Sequence, residues 1–311
     1  MRPGINAQTL LKLLPALVAL SGCDNYRKDD YHDNSPTSGQ LKVYYDEGLE
    51  LHVKNQALTF ESQYYKAHLE LRAANDDEAV LAMYNDSCKA IVVSRLLNDK
   101  EKAMFASRSF TPAYSKVAYS AVALVTSTET PITFVSREQL KNILVGKGSL
   151  RDSSGNNADI RIVIDRNNSS VMRYLTDSVM RSNTFGPACS SMGSSPETIR
   201  YAANNRNVIG IVDFAWLSDR DDEFYKSVEN NIRFLAVGDS FSAEALPNQS
   251  TFKLETYPFT RPVYVIRNTG DFTLAKGFES FVAGPKGQLT FLKQGLLPAR
   301  QGERNIEVNL E

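Results

Sequence analysis

The stretch Ile162 to Leu175 reads Ile-Val-Ile-Asp-Arg-Asn-Asn-Ser-Ser-Val-Met-Arg-Tyr-Leu, an order that suits a strand, a turn and a helix and little else. Ile162, Val163 and Ile164 form the short apolar run of a buried strand. Asp165 to Ser170 supplies turn formers and N-cap candidates. Val171, Leu175 and Val179 then recur at every fourth position, as one face of a helix does. The first amides of such a helix lack internal partners and carry the positive end of its dipole. Arg166, Asn167, Asn168, Ser169 and Ser170 gather at that point, and an oxyanion is the natural guest. The plainer alternative is an ordinary capped turn.

A chain of 311 residues exceeds one small core and suits two lobes of ordinary domain size. Its 35 basic residues balance 36 acidic ones, so there is no basic surface for nucleic acid. The three histidines, His32, His52 and His68, are not spaced as metal ligands, and none pairs with a nucleophile. Neither catalysis nor a metal or other cofactor is expected.

Near the start, Arg2 and Lys12 precede an apolar run from Leu13 to Leu20. That run is too short to span a bilayer and suits the core of a signal peptide. Leu20-Ser21-Gly22-Cys23 resembles the bacterial lipobox, in which the cysteine is lipidated after cleavage at residue 22. Residues 23–40 are polar and read as a flexible tether. The expected product is a globular body held to the cell envelope, on its periplasmic side, by acyl chains on Cys23. Cys88 and Cys189 are expected as two buried thiols in different lobes.

Leu41 to Tyr45 reads as a first strand ending at Asp46-Glu47-Gly48, and Leu49, Val53, Ala57 and Phe60 as a helix face. A second strand around Leu69 and Leu71, a helix from Asp76 and a third strand ending at Ser94-Arg95 follow. Strand, helix, strand, helix, strand implies a parallel sheet with right-handed crossovers. Ligands of such sheets sit beyond the C-terminal strand ends, here Asp46-Glu47-Gly48 and Ser94-Arg95. Tyr119 to Thr126 reads as a long strand crossing between lobes. Ser136 opens a capping box, Val208 to Val212 is a strand, and Phe234 to Val237 reads as one more. The chain returns through Tyr257 to Ile266, where two prolines favour an extended path. Leu274 to Gln294 then forms two amphipathic helices broken at Gly284-Pro285, with Leu289 and Leu292 packing from the second.

Several of these stretches together resemble the phosphate-binding proteins of ABC transporters, the PstS-like branch of type II periplasmic binding proteins. The carriers are Val92-Val93-Ser94-Arg95, the Ser169-Ser170 turn, Asn207-Val208-Ile209-Gly210-Ile211, Tyr257-Pro258-Phe259-Thr260-Arg261-Pro262 and Phe281-Val282-Ala283-Gly284-Pro285-Lys286-Gly287-Gln288. The resemblance covers Leu41 to Pro298. It implies an α/β fold of two lobes, each a mainly parallel sheet flanked by helices, with a ligand cleft between them. Residues 41–126 with 258–311 would form one lobe and 127–257 the other. It also implies that Arg166, Asn168, Ser169, Ser170, Ser94, Arg95, Asp46, Glu47 and Gly48 surround phosphate or a related oxyanion, which an ABC permease then receives.

The pattern departs from that family in its details. Ser170 stands where glycine is usual, Val171 replaces a threonine hydroxyl, and Arg166 lies one residue closer to the serine than is customary. Asp46-Glu47-Gly48 occupies the place of a Gly-Ser-rich phosphate turn. A carboxylate there repels a second anion by roughly 4 kcal/mol at about 4 Å and an effective dielectric near 20. This favours an alternative, an interaction or sensory lipoprotein of an envelope complex, TonB-linked for example, with a degenerate cleft.

Overall fold

The computed structural model describes residues 34–151, 157–182, 184–240 and 244–300. The chain opens with β1 (Ser38–Asp46), a 3-10 turn (Glu47–Leu49), α1 (Glu50–Gln63), β2 (Lys66–Ala74), α2 (Asp76–Tyr84), β3 (Ala90–Val93) and α3 (Asp99–Ala106). The long β4 (Ala113–Ser127) leads to β5 (Phe134–Ser136), α4 (Arg137–Leu144), the short pair β6 (Leu150–Arg151) and β7 (Asn157–Ala158), and β8 (Arg161–Ile164). Next come α5 (Ser170–Tyr174), which widens into a π turn (Leu175–Met180), then β9 (Cys189–Ser191), α6 (Ser195–Ala203), β10 (Val208–Asp213), α7 (Ala215–Ser218) and α8 (Glu223–Val228). The chain closes with β11 (Ile232–Phe234), β12 (Ala236–Gly238), α9 (Gln249–Lys253), β13 (Thr260–Arg267), α10 (Leu274–Ala283), α11 (Pro285–Lys293) and β14 (Leu297–Pro298).

The main sheet runs β2-β1-β3-β13-β4-β10-β8-β9. β2, β1 and β3 are mutually parallel, as their helical crossovers require. β10, β8 and β9 form the second parallel set. β4 joins the two. Its first half pairs antiparallel with β13, up to Thr260 against Ala121, and its second half with β10, from Asp213 against Val122. β4 thus runs parallel to β3, through β13, and antiparallel to β10. The two parallel sets therefore point at one another, and their C-terminal ends meet beside the middle of β4.

Burial explains the strand assignments. Residues Ala121 to Val125 of β4 and every residue of β10 are buried, so these strands read as continuous apolar runs rather than alternating ones. On the first lobe, α1 and α10 cover the sheet through edge-on rings, Phe60 against Phe278 and Phe281 at 5.7 and 5.3 Å.

Some boundaries differ from the sequence expectation. β1 begins at Ser38 and the body earlier still, inside the expected tether. Leu274 N–H donates to Asn34 Oδ1 at 3.0 Å, and a side chain on Gly277 would strike the Pro36 carbonyl. The expected strand from Phe234 to Val237 is two strands on different partners, β11 on β4 and β12 on β5. Leu289 and Leu292 are exposed rather than packed. The inward positions of α11 are Gly287, Gln288 and Phe291; Gln288 Nε2 donates to the carbonyls of Val117 and Val282, a polar core contact that apolar periodicity does not signal. Cys88 and Cys189 are free thiols, the first buried and the second half-buried. The expected lipidation at Cys23 and the signal peptide lie outside the described residues.

Candidate functional site

Four strand ends converge beside the middle of β4: Asp46 of β1, Ser94 after β3, Asp165 after β8 and Asp213 of β10. Each brings a buried side chain. Asp46 caps the 3-10 turn, with Gly48 N–H donating to Oδ1 at 3.1 Å and Ser94 Oγ to Oδ2 at 2.9 Å. Gly48 leaves room for the opposite lobe, because a Cβ there would lie 2.8 Å from the Asp213 Cβ. That is closer than side-chain carbons approach.

Asp213 is the anchor of the second set. It accepts from Ser120 Oγ at 2.5 Å and Ala215 N–H at 2.9 Å through Oδ1, and from Arg261 Nη2 through Oδ2. Arg261 Nη1 donates in turn to Ser170 Oγ at 3.3 Å. Arg261 lies on β13 opposite Ser120 of β4, so the two crossing strands are tied to the strand end of β10 and the start of α5. Burial raises the Asp213 carboxyl above its ordinary range while Arg261 holds it down.

The Asp165–Ser170 turn closes the cluster. Ser169 caps α5, its Oγ accepting from Met172 N–H at 3.0 Å and donating to Asp165 Oδ1. Ser195 Oγ donates to Asp165 Oδ2 at 3.3 Å. Burial pushes the Asp165 carboxyl up to about 8, with the charge of Asp46 adding to it and the Ser169 bond opposing. Val171 lies in the core, which is why no hydroxyl stands at that position. Asn168 takes the left-handed conformation, φ 62°, which asparagine tolerates, and is exposed on the turn.

Arg166 reaches across the cleft, its Nε 3.0 Å from Glu47 Oε2. Its Nη2 is buried with no hydrogen-bond partner. Glu47 is raised by burial, against the lowering effect of Arg166, and its backbone carbonyl accepts from Trp216 Nε1 at 3.3 Å. Arg95 turns away to ion pairs with Asp77 and Glu101 at 2.7 Å each. Of the sequence-predicted residues, then, Asp46, Glu47, Gly48, Ser94, Arg166, Ser169 and Ser170 share one cluster. Arg95 pairs with Asp77 and Glu101 instead, and Asn168 is exposed on the turn.

Sequence reasoning missed Asp165, Asp213, Ser120 and Arg261 as cluster members. Asp165 and Asp213 each follow an apolar strand, a signal that was legible. Arg261 lies in the Tyr257–Pro262 stretch read only as framework, and nothing local marks Ser120. Among the described residues, no group of three or more His, Cys, Asp and Glu is arranged for a metal ion, and no helix is long and apolar enough to cross a membrane. A cavity of about 250 Å³ bounded by Phe214, Leu217, Tyr225, Phe234, Leu246 and Gln249 includes none of the candidate anion ligands.

Comparison with known proteins bears on this geometry. Residues 32–286 match the family model of the PBP superfamily domain. A Clostridium perfringens protein, assigned as a phosphate ABC transporter substrate-binding protein and holding phosphate, aligns over 84% of this chain and 100% of its own, with 17% identity and a TM-score of 0.70. An ABC-type phosphate transport receptor from Vibrio cholerae aligns over 83% and 99%, at 16% identity and TM-score 0.64. PstS from Borrelia burgdorferi aligns over 84% and 99%, at 18% identity and TM-score 0.56. No curated protein matches the chain. With the family model spanning most of its length and the two parallel strand sets meeting across a cleft, the chain belongs to the PBP superfamily and has the two-lobed type II fold of PstS-like binding proteins.

Proposed function

We propose that this protein is an envelope-tethered receptor for phosphate or a related oxyanion, closing its lobes on the solute and passing it to an ABC-type permease. The observation that carries the reading is Arg166 Nη2, a guanidinium donor buried at the cleft without an acceptor. Such a group costs free energy until an acceptor arrives, and a tetrahedral oxyanion is matched to a guanidinium fork. Ser94, Ser169 and Ser170 supply hydroxyls beside it, and Asp46 supplies an acceptor for a protonated oxygen. The reaction is binding alone, with no covalent step. Attachment through Cys23 is part of the proposal. Cys23→Ser is expected to move the protein from the membrane fraction to the soluble one, and unchanged sedimentation would refute the tether.

Calorimetric titration of residues 24–311 with phosphate, with sulfate, molybdate and pyrophosphate as controls, tests the receptor reading. Micromolar or tighter phosphate binding, lost in Arg166→Ala, is expected. A specific observation favours a second reading, the interaction or sensory lipoprotein of an envelope complex. The hydroxyls and guanidiniums of the cleft already meet internal carboxylates, Asp46, Glu47, Asp165 and Asp213. A folded protein that binds none of the four anions would select this second reading.

A further inference from the structure

Beyond the anion cluster, a second line of charge crosses between the lobes. Arg173, on α5 seven residues after Arg166, reaches the first turn of α2. Its Nη2 bonds Asp76 Oδ2, and its Nη1 lies 3.1 Å from Asp77 Oδ1. Asp76 is only 1% exposed, and its Oδ1 has no hydrogen-bond partner. The other cation near Asp76 is Arg95, whose Nε stands 3.7 Å away and whose terminal nitrogens are committed to Asp77 and Glu101. Withdrawing Arg173 would thus leave a buried carboxylate with weak compensation, unless water entered as the lobes parted.

We propose that the lobes are clasped by their own side chains before any solute arrives, Arg166 and Arg173 of the second lobe gripping Glu47, Asp76 and Asp77 of the first. The clasp itself stands on these ion pairs. That Glu47 competes with solute for Arg166 rests on the oxyanion reading above. Three further features agree. Both arginines lie on one continuous segment, the turn and helix after β8. Trp216 Nε1 holds the Glu47 carbonyl from α7, which is itself bonded to α1 through His52, fixing the backbone that presents the carboxylate. Gly48 lets that backbone approach Asp213 closely. The Arg166–Glu47 and Arg173–Asp77 pairs are partly exposed and screened by salt. The Arg173–Asp76 contact, with its buried carboxylate, is the firmer hold, so the clasp is an equilibrium that salt and solute can shift. A partner that recognises closed lobes would meet this form without solute, and solute would have to displace Glu47.

The experiment measures the separation of spin labels on Lys100→Cys of the first lobe and Lys147→Cys of the second, both exposed positions. It uses residues 24–311, which retain every described residue, in a Cys189→Ser background. Without ligand and at low salt, the clasped protein is expected to give one short distance, which lengthens in 1 M NaCl as the Debye length falls to about 3 Å. Glu47→Gln with Arg173→Gln is expected to lengthen it at low salt, and Arg173→Lys to shift it part of the way while keeping the charge and the fold. A long distance in the unliganded parent at low salt would overturn the clasp, as would an unchanged short one in both variants. Adding inorganic phosphate to the open double variant separates the two ideas. Return to the short distance supports the receptor reading, whereas no return with the clasp otherwise intact sinks that reading alone.

Discussion

Arg261–Asp213 and Arg166–Glu47 are the same chemistry in two media. In the first pair the side chains are 3% and 0% exposed, and in the second 33% and 21%. The buried pair binds the crossing strands β4 and β13 to β10 and α5, through Ser120, Ala215 and Ser170. The half-exposed pair links the turn after β8 to the turn after β1 across the cleft. The difference teaches where rigidity and responsiveness reside. A buried ion pair is costly to break because the survivor is stranded, while a solvated one is exchanged cheaply for water or for another anion. The strand framework is thus held by the first kind and the contact across the cleft by the second.

Breaking the buried member should have the largest effect. Arg261→Ala is expected to destabilise the fold by about 3–5 kcal/mol in urea unfolding, because Asp213 would be left fully buried without its cation, its carboxyl driven still further above the ordinary range. Arg261→Met with Asp213→Leu should recover much of that loss, and a double variant as unstable as the single would show that the hydrogen bonds to Ser120 and Ser170 matter more than the charges.

The pH dependence of stability sharpens the contrast between buried and wet groups. Asp165, pushed up to about 8, binds its proton more tightly folded than unfolded, so its contribution falls as pH rises from about 4 to 8. His52 works in the opposite sense. Burial among Ala215, Ser218 and Gln294 lowers it to about 4, so the stability it supports is present above about 6.5 and is lost towards 4, by about 3 kcal/mol. Unfolding curves across pH 4–8 should show Asp165→Asn removing the alkaline decline and His52→Gln removing the acid one. If Asp165→Asn keeps the parent's alkaline slope, Asp165 is ionised in the folded protein.

The smallest expected effect is at the half-exposed pair. Glu47→Gln should change unfolding free energy by less than about 1 kcal/mol while altering lobe separation and anion affinity. A stability loss like that of Arg261→Ala would erase the distinction between the two pairs.

How far the sequence could carry this follows from the range of each interaction. Strand β8 with its turn and α5, the capping boxes at Ser136 and Asn75, and the break at Gly284-Pro285 depend on neighbours within a few residues. Apolar period, capping residues and proline report such features directly. Asp46, Glu47, Ser94 and Arg166 were also legible, because strand ends in parallel sheets are where polar residues collect. Tertiary structure alone decided that Arg95 would turn to Glu101, that Arg261 from the far end of the chain would complete the cluster, and that Leu289 would face solvent while Gln288 entered the core. Each of those outcomes depends on which of several distant partners desolvates a group, and that choice is made by the packing of the whole sheet rather than by any window of sequence.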